Sequence, residues 1–383
     1  MKLADIRVQR FRHRLRAVRD AQGRARPGAY REATASVVTI VTDDGAEGHA
    51  FGASPDVING VVKPLIMGEH PYDREKIWKK LSEKQRGNPA TLTDGVVSVV
   101  DEALWDLAGR ALNIPVYRLL GGYRTKVRAY ASTYVGDPDD VEGGLNSPRA
   151  YAQFALQCKA RGYTAFKIHT RQPPIPGAPN PKEDVAICAA VREAVGPDMA
   201  LMLDPYHNYT RAEAYYIGKE LEKLDFAWLE EPMDEHNTSS YIWLAQSLSI
   251  PILGPEHVEG KLYARAEWIR LEAADMLRAG TWDVGGITPV MKIAHLCEAY
   301  GVPLELHAPG IGNLHCLCAM PIPGQYFERG LLHPFIDYEA GWPWLKTLDD
   351  PMDSGGFVLI SDRPGLGQDV DWDYIRDNAA DAR

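Results

Sequence analysis

The sequence predicts an α/β protein, a βα barrel joined to a smaller α+β domain, and two observations carry that expectation. Residues 1–125 alternate apolar and polar side chains before turning helical, whereas residues 126–330 repeat a short apolar run followed by a helical segment. About eight such runs occur; a closed (β/α)8 barrel is their economical arrangement, and an open doubly wound sheet is the alternative. A chain of 383 residues is long enough for a barrel and a second domain.

In the first region, "ADIRVQRFRHRL" and "ATASVVTIVTDDGAEGHAFG" alternate with period two and break at "DDG", which predicts antiparallel strands. "DVINGVVKPLIMGE" and "TDGVVSVVDEALWDLAGRALNIPVYRLLGG" are helical; Thr93 or Asp94 caps the last helix, and Gly121 and Gly122 stop the segment. The barrel strands are read at "KVRAYAST", "TAFKIHT", "ALMLDPYH", "FAWLEEP", "PILGPEH", "ADMLRAG", "PLELHAP" and "GQYFERG". An open sheet would carry a glycine-rich phosphate loop after its first strand, and "YASTYVGDPDDVEGG" is not one. The tail, 331–383, is rich in Pro, Gly, Asp and Trp and is expected to pack back on the first domain.

Composition narrows the function classes. The 45% apolar and 25% charged residues are those of a globular protein in water. A formal charge of −10 with no basic block argues against nucleic acid as a partner. The five cysteines fit neither a disulfide framework nor a zinc spacing, so a reducing cytoplasm is expected. The N-terminus lacks the apolar core of a signal peptide, and no run is long enough to span a bilayer. Cys316 and Cys318 read as buried small side chains, and His295 and His315 as structural residues of helices.

Barrel chemistry sits at the C-terminal ends of the strands. Polar residues end nearly every run: Lys167 and His169, Asp204, Glu230 and Glu231, Glu256, His307 and Glu328. Lys167 and His169 alternate with Phe166 and Ile168, so both point to one face of their strand. Asp204, Glu230 and Glu256 are evenly spaced, 26 residues apart, one per βα unit. A single acid at a strand end is an ordinary helix cap or salt-bridge partner. Three acids in register repel unless a cation sits among them, and hard oxygen ligands favour Mg²⁺ or Mn²⁺ over Zn²⁺.

These strands resemble those of the enolase superfamily, in its mandelate racemase-like branch, and the resemblance covers nearly the whole chain. "DEALWDLAGRALNIPVYRLLGG" is similar to the segment leading from the family's capping domain into its barrel, and "LMLDPYHNY", "WLEEP" and "GPEH" to its three metal-ligand strands. The resemblance implies a modified (β/α)7β TIM-type barrel with an α+β cap built from the N-terminal third and the C-terminal tail. It implies one Mg²⁺ per site on Asp204, Glu230 and Glu256, and abstraction of the proton α to a carboxylate to give a metal-stabilised enediolate. Lys167 and His169 match the family's K-x-K, with histidine as the second member; His307 matches the seventh-strand histidine and Glu328 the substrate-binding glutamate. Two positions depart from the pattern. The sixth-strand aspartate that backs the histidine falls at Gly280, with Asp283 a weak substitute three residues on, and the usual asparagine falls at Tyr206, beside His207.

From these residues follow the expected roles. Desolvation and the cation disfavour protonated forms, so Lys167 or His169 could serve as a neutral base. The expected division has the Lys167 ammonium on the substrate carboxylate, lowering the pKa of His169, the base, while an unbacked His307 is the acid. Residues 13–31, "HRLRAVRDAQGRARPGAYR", read as a basic loop attracting an anionic substrate, with Arg14 and Arg16 as contacts beside Tyr206 and His207. The Pro-rich stretch 170–184 is expected to wall the site. Such a polar pocket suits a sugar acid, an aldonate or aldarate, and for these the commonest reaction in the branch is loss of water to a 2-keto-3-deoxy acid. Racemisation, epimerisation or cycloisomerisation is the runner-up. A metal-dependent hydrolase would want an H-x-H on the first strand, which "RAYAST" lacks, and a non-catalytic binding protein leaves the Lys/His/His set unexplained. A homo-oligomer is expected.

Overall fold

The computed structural model describes every residue except 21–23, 25–27, 29, 323, 325 and 381–383. The chain opens with an antiparallel sheet of β1 (Leu3–Arg16), β2 (Tyr30–Thr42) and β3 (Glu47–Phe51). Its buried face packs on the long helix Asp94–Leu112, through Val38, Ile40, Ala50, Val100 and Leu104. The predicted helical segment is in fact two helices. Thr93 caps the first, accepting the Val96 N–H at 3.4 Å, but Asn113 ends it in the left-handed region at φ 55°. Pro115, lacking an N–H to continue the ladder, then starts the short helix Val116–Leu119, and Gly121 and Gly122 follow at positive φ.

The barrel strands are β4 (Lys126–Thr133), β5 (Ala165–His169), β6 (Ala200–Asp204), β7 (Trp228–Glu230), β8 (Ile252–Leu253), β9 (Leu277–Ala279), β10 (Leu304–Leu306) and β11 (Tyr326–Leu332). All pair parallel in the order β11-β4-β5-β6-β7-β8, a Leu253–Met276 bridge joins β8 to the start of β9, and β9 pairs with β10. The closed (β/α) barrel is therefore the architecture, and the open sheet is excluded by the pairing of β11 with β4. A last strand, β12 (Phe357–Leu359), adds antiparallel to β4.

The tail returns to the cap as its composition predicts. Trp344, Val370 and Ile375 bury against Phe11 and Val37, and Arg12 N–H donates to the Asn378 carbonyl at 2.8 Å. Asp106, on the long helix, ties three segments together: it accepts the N–H groups of His49 and Leu366, both at 2.8 Å, and pairs with Arg110.

Period-two alternation decides what fills the barrel. Ala165, Met202, Trp228, Met276 and Tyr326 form an apolar floor inside it, while Ile168, Leu203, Leu229, Leu277 and Phe327 face the surrounding helices. Two residues beyond each floor position stands a charged group: Lys167, Asp204, Glu230, Arg278 and Glu328, all buried.

Candidate active site

That charged ring is closely paired. Lys167 Nζ lies 2.9 Å from Glu230 Oε1, 3.1 Å from Glu328 Oε1 and 3.4 Å from Asp204 Oδ2, and 5.2 Å over the Tyr130 ring. Arg278 bridges the other side, with Nη2 at 2.9 Å from Glu230 and 2.7 Å from Glu328, and Nε at 3.2 Å from Glu256. Trp228 Nε1 donates to Glu230 Oε2 at 3.1 Å, so the floor itself orients that carboxylate. Burial opposes the charge on Lys167, but Glu230 and Glu328 outweigh it and hold the ammonium well above its ordinary range. A neutral Lys167 is thus not what this arrangement favours: the carboxylates of Glu230 and Glu328 outweigh the desolvation that motivated the expectation. Burial likewise opposes charge on Asp204, Glu256 and Glu328, and the neighbouring cations keep each below the usual carboxylate range, Glu256 at about 2.

His169 ends β5 with Nε2 at 3.0 Å from Asp204 Oδ2, while its buried Nδ1 has no hydrogen-bond partner. Its backbone is fixed by Thr133 Oγ1, which accepts its N–H at 3.0 Å, and by Tyr151 OH, which donates to its carbonyl at 2.9 Å. His307, just beyond β10, is held on both nitrogens: Nδ1 lies 2.9 Å from Asp283 Oδ2 and Nε2 3.1 Å from Glu256 Oε1. Burial works against its charged form, but Glu256 and Asp283 raise its pKa to about 9.

The expectation of an unbacked His307 is therefore overturned. A Cβ built on Gly280 would lie 2.4 Å from Asp283 Oδ2 and 2.8 Å from the His307 carbonyl. The carboxylate of Asp283, on the helical turn Thr281–Val284, reaches into the space a side chain at 280 would take. Three residues of sequence become one turn of helix, which folds Asp283 back over the strand end.

A cavity of about 640 Å³ covers this ring, lined by Lys167, His169, Asp204, Glu256, His307 and Glu328 and, at its outer edge, by Arg19, Gln172, Tyr206 and His257. Gln172 belongs to the Pro-rich stretch expected to wall the site. Arg14 and Arg16 are not among the lining residues. β1 runs through Arg16 and pairs Arg14 with Glu32 and Arg16 with Tyr30, so both stand on the exposed face of the cap strand with Arg12. Of the expected basic loop 13–31, its ends are strand, and much of its middle lies outside the described residues. Arg19 reaches the cavity instead, over the Tyr134 ring at 5.9 Å, and no carboxylate pairs with it among the described residues. Arg24 fastens this segment to the barrel, with Nη2 at 2.9 Å from Asp137 Oδ1 and a further contact to Asp139.

Tyr206 and His207 sit at φ 52° and 60°, in the loop that ends in the Thr210–Glu213 capping box. Asp204 Oδ1 accepts the Tyr206 N–H at 2.9 Å and the Glu231 carbonyl accepts the His207 N–H at 2.8 Å, which turns His207 away from the cavity towards Glu231. Sequence reasoning did not single out Arg278 or His257. Arg278 carried the signal that identified Lys167, a lone cation inside an apolar strand run, and His257 follows Glu256 directly. All five cysteines are buried thiols, and His315 is buried; His295 is exposed, on the outer face of its helix. No helix among the described residues is long and apolar enough to cross a membrane.

Fold and site together define a capped βα barrel whose mouth is built from buried carboxylates, lysine and histidine. Residues 150–374 match the enolase C-terminal domain-like family and residues 17–121 the N-terminal domain of the mandelate racemase / muconate lactonizing enzymes. The chain belongs to this family, the mandelate racemase branch of the enolase superfamily. It is 31% identical to an arabinonate dehydratase of Saccharolobus solfataricus over 86% of this chain and 87% of that one. It is 30% identical to a D-galactarolactone cycloisomerase of Agrobacterium fabrum over 98% of each. A crystal structure of D-glucarate dehydratase from Agrobacterium tumefaciens, complexed with magnesium, superimposes with a TM-score of 0.96 at 49% identity over the whole of both chains.

Proposed function

We propose that this protein is a Mg²⁺-dependent dehydratase of a sugar acid with a carboxylate at each end, an aldarate. The dehydratases among its relatives support the reaction class. The observation that carries the diacid is the placement of two cations across one cavity: Lys167 at its base and Arg19, without a carboxylate partner among the described residues, at its cap edge. Each can meet one carboxylate of an extended substrate.

The donor set fits the ion. Among the described residues, Asp204, Glu230, Glu256 and Glu328 are paired with two permanent cations, Lys167 and Arg278, an acid excess that a divalent ion would meet. Asp204, Glu230 and Glu256 would hold it, through oxygen donors suited to Mg²⁺ or Mn²⁺. When bound, it supplies Lewis-acid stabilisation of negative charge developing on the substrate carboxylate. The chain's own residues do the rest. Lys167 and Glu328 orient that carboxylate. His169 takes the proton from the adjacent carbon, and the C–H electron pair moves into a double bond as the β-hydroxyl departs. His307, protonated at neutral pH, gives its proton to the hydroxyl, which leaves as water, and the enol left behind becomes the 2-keto-3-deoxy acid.

Turnover of a panel of aldaric and aldonic acids with Mg²⁺ tests this reading. We expect an aldarate to be the preferred substrate, and Arg19→Gln to cut kcat/KM for it by about 10- to 100-fold, chiefly through KM, with little change for aldonates. Equal effects on both classes would remove Arg19 from substrate selection. The galactarolactone cycloisomerase relative supports lactone isomerisation as a second reading. Product mass separates the two, since dehydration removes one water and isomerisation none.

A further inference from the structure

Beside the carboxylate ring, in the segments that follow β6, β7 and β8, stands a cluster that the proposed reaction does not use. His207, Glu231 and His257 each offer a ligand atom, and these atoms lie within 4.8 Å of one another. Glu231 is fully buried, yet neither of its carboxylate oxygens receives a hydrogen bond. Its Oε2 lies 3.3 Å from His207 Nε2, and the carboxyl groups of Glu235 and Glu256 stand close by. A buried carboxylate without donors is unfavourable unless something positive meets it. The surrounding backbone is well fixed. The His207 N–H is spent on the Glu231 carbonyl at 2.8 Å, and Glu235 accepts the His257 N–H at 2.8 Å. His257 also lines the main cavity, which gives the cluster an entry path.

We propose that His207, Glu231 and His257 form a second cation site, distinct from the Asp204–Glu230–Glu256 site and selective for a transition ion such as Zn²⁺, Co²⁺ or Mn²⁺. Two imidazole nitrogens and one carboxylate are a borderline donor set, which such ions prefer over Mg²⁺, whereas the neighbouring site offers oxygen alone. The ion supplies the positive charge that Glu231 lacks. The two sites are coupled through His257, whose Nε2 lies 2.8 Å from Glu256 Oε1, so an ion drawing on His257 competes with that contact. The inference stands apart from the choice of substrate or reaction.

The test uses the full chain, stripped of metal, saturated with Mg²⁺ and titrated with Co²⁺. One Co²⁺ per chain is expected to bind on top of the Mg²⁺, with visible absorption and with nitrogen couplings from imidazole in its magnetic resonance spectrum. His207→Gln and His257→Gln should each weaken Co²⁺ binding by at least about tenfold, and His207→Gln, which does not touch the carboxylate site, should change the Mg²⁺ dissociation constant by less than about threefold. Co²⁺ that is displaced stoichiometrically by Mg²⁺ and shows no nitrogen couplings would overturn the site, as would unchanged Co²⁺ affinity in both variants. Circular dichroism checks folding. If His257→Gln fails to fold, His207→Gln, on a partly exposed loop residue, decides alone. Loss of Mg²⁺ binding in the unaltered chain with Co²⁺ binding intact would count against the carboxylate site and not against this one.

Discussion

The two histidine-bearing walls of the barrel mouth are built differently. On β5, His169 touches one carboxylate through Nε2 and leaves Nδ1 without a partner; beyond β10, His307 is gripped by Asp283 on one nitrogen and Glu256 on the other. Two acids on one imidazole hold the proton there, and the pKa of His307 rises to about 9. The first wall is suited to taking a proton, the second to giving one. The comparison also separates a conclusion from its premise. The acid role for His307 was expected because its backing aspartate was missing; Asp283 supplies that backing, and His307 suits the acid role because it is protonated at neutral pH.

The largest expected effect comes from removing what both walls share. Chelation should abolish turnover and Mg²⁺ restore it, and Glu230→Gln should lower kcat by at least about 10³-fold with the fold intact by circular dichroism. Full activity in excess chelator would end the metal-dependent reading.

Next come the walls themselves, compared by solvent-deuterium exchange at the substrate α-carbon. His307→Asn should keep exchange and lose the 2-keto-3-deoxy product, whereas His169→Asn should lose both, each by about 10²- to 10⁴-fold. The reverse pattern would exchange the two roles.

A smaller effect sharpens the contrast. The protonated form of His307 is present below its folded pKa and lost as pH rises through about 9. Asp283→Asn removes one of the two charges that raise it. The alkaline limb of the kcat/KM profile should then move down by about one pH unit, with little change on the acid side. An unmoved limb would mean that Asp283 only positions the ring.

The smallest effect is on stability, at a third histidine far from either wall. His315 accepts the Tyr117 N–H at Nδ1, at 2.9 Å, and faces the Leu366 carbonyl with Nε2 at 3.1 Å. Burial lowers its pKa to about 4, below its ordinary 6.5, so the unfolded chain takes up a proton in that window and the folded one does not. Its contribution is complete above pH 6.5 and is lost as pH falls towards 4, about 3 kcal/mol in all. Glu102 and buried Asp184, both raised to about 7 by desolvation, run the other way, so the comparison is between the unaltered chain and His315→Gln. The Tm gap between them should narrow from pH 8 to pH 5; a constant gap would show that His315 is not the group that titrates.

Much of this was legible in the sequence because strand periodicity is strict. Once the apolar runs are strands of one barrel, a step of two residues from Ala165, Met202, Trp228 and Tyr326 lands on Lys167, Asp204, Glu230 and Glu328, and the even spacing of the acids sets them side by side. The repeat likewise favoured the closed barrel over an open sheet, which the pairing of β11 with β4 then excluded, and the composition of the tail pointed to its return to the cap. Contacts across elements were a different matter. That Asp283 could stand in for a residue at 280 depends on one helical turn folding back over a glycine, and sequence distance carries no such direction. That Arg19 lines the cavity while Arg14 and Arg16 point outward depends on where β1 stops pairing with β2, which is set by strand partners and not by the arginines themselves. The charge on Lys167 depends on three carboxylates arriving from three other strands. Local pattern determined which side chains enter the barrel; which groups they meet there, and so which protons they hold, was decided only when distant strands closed the ring.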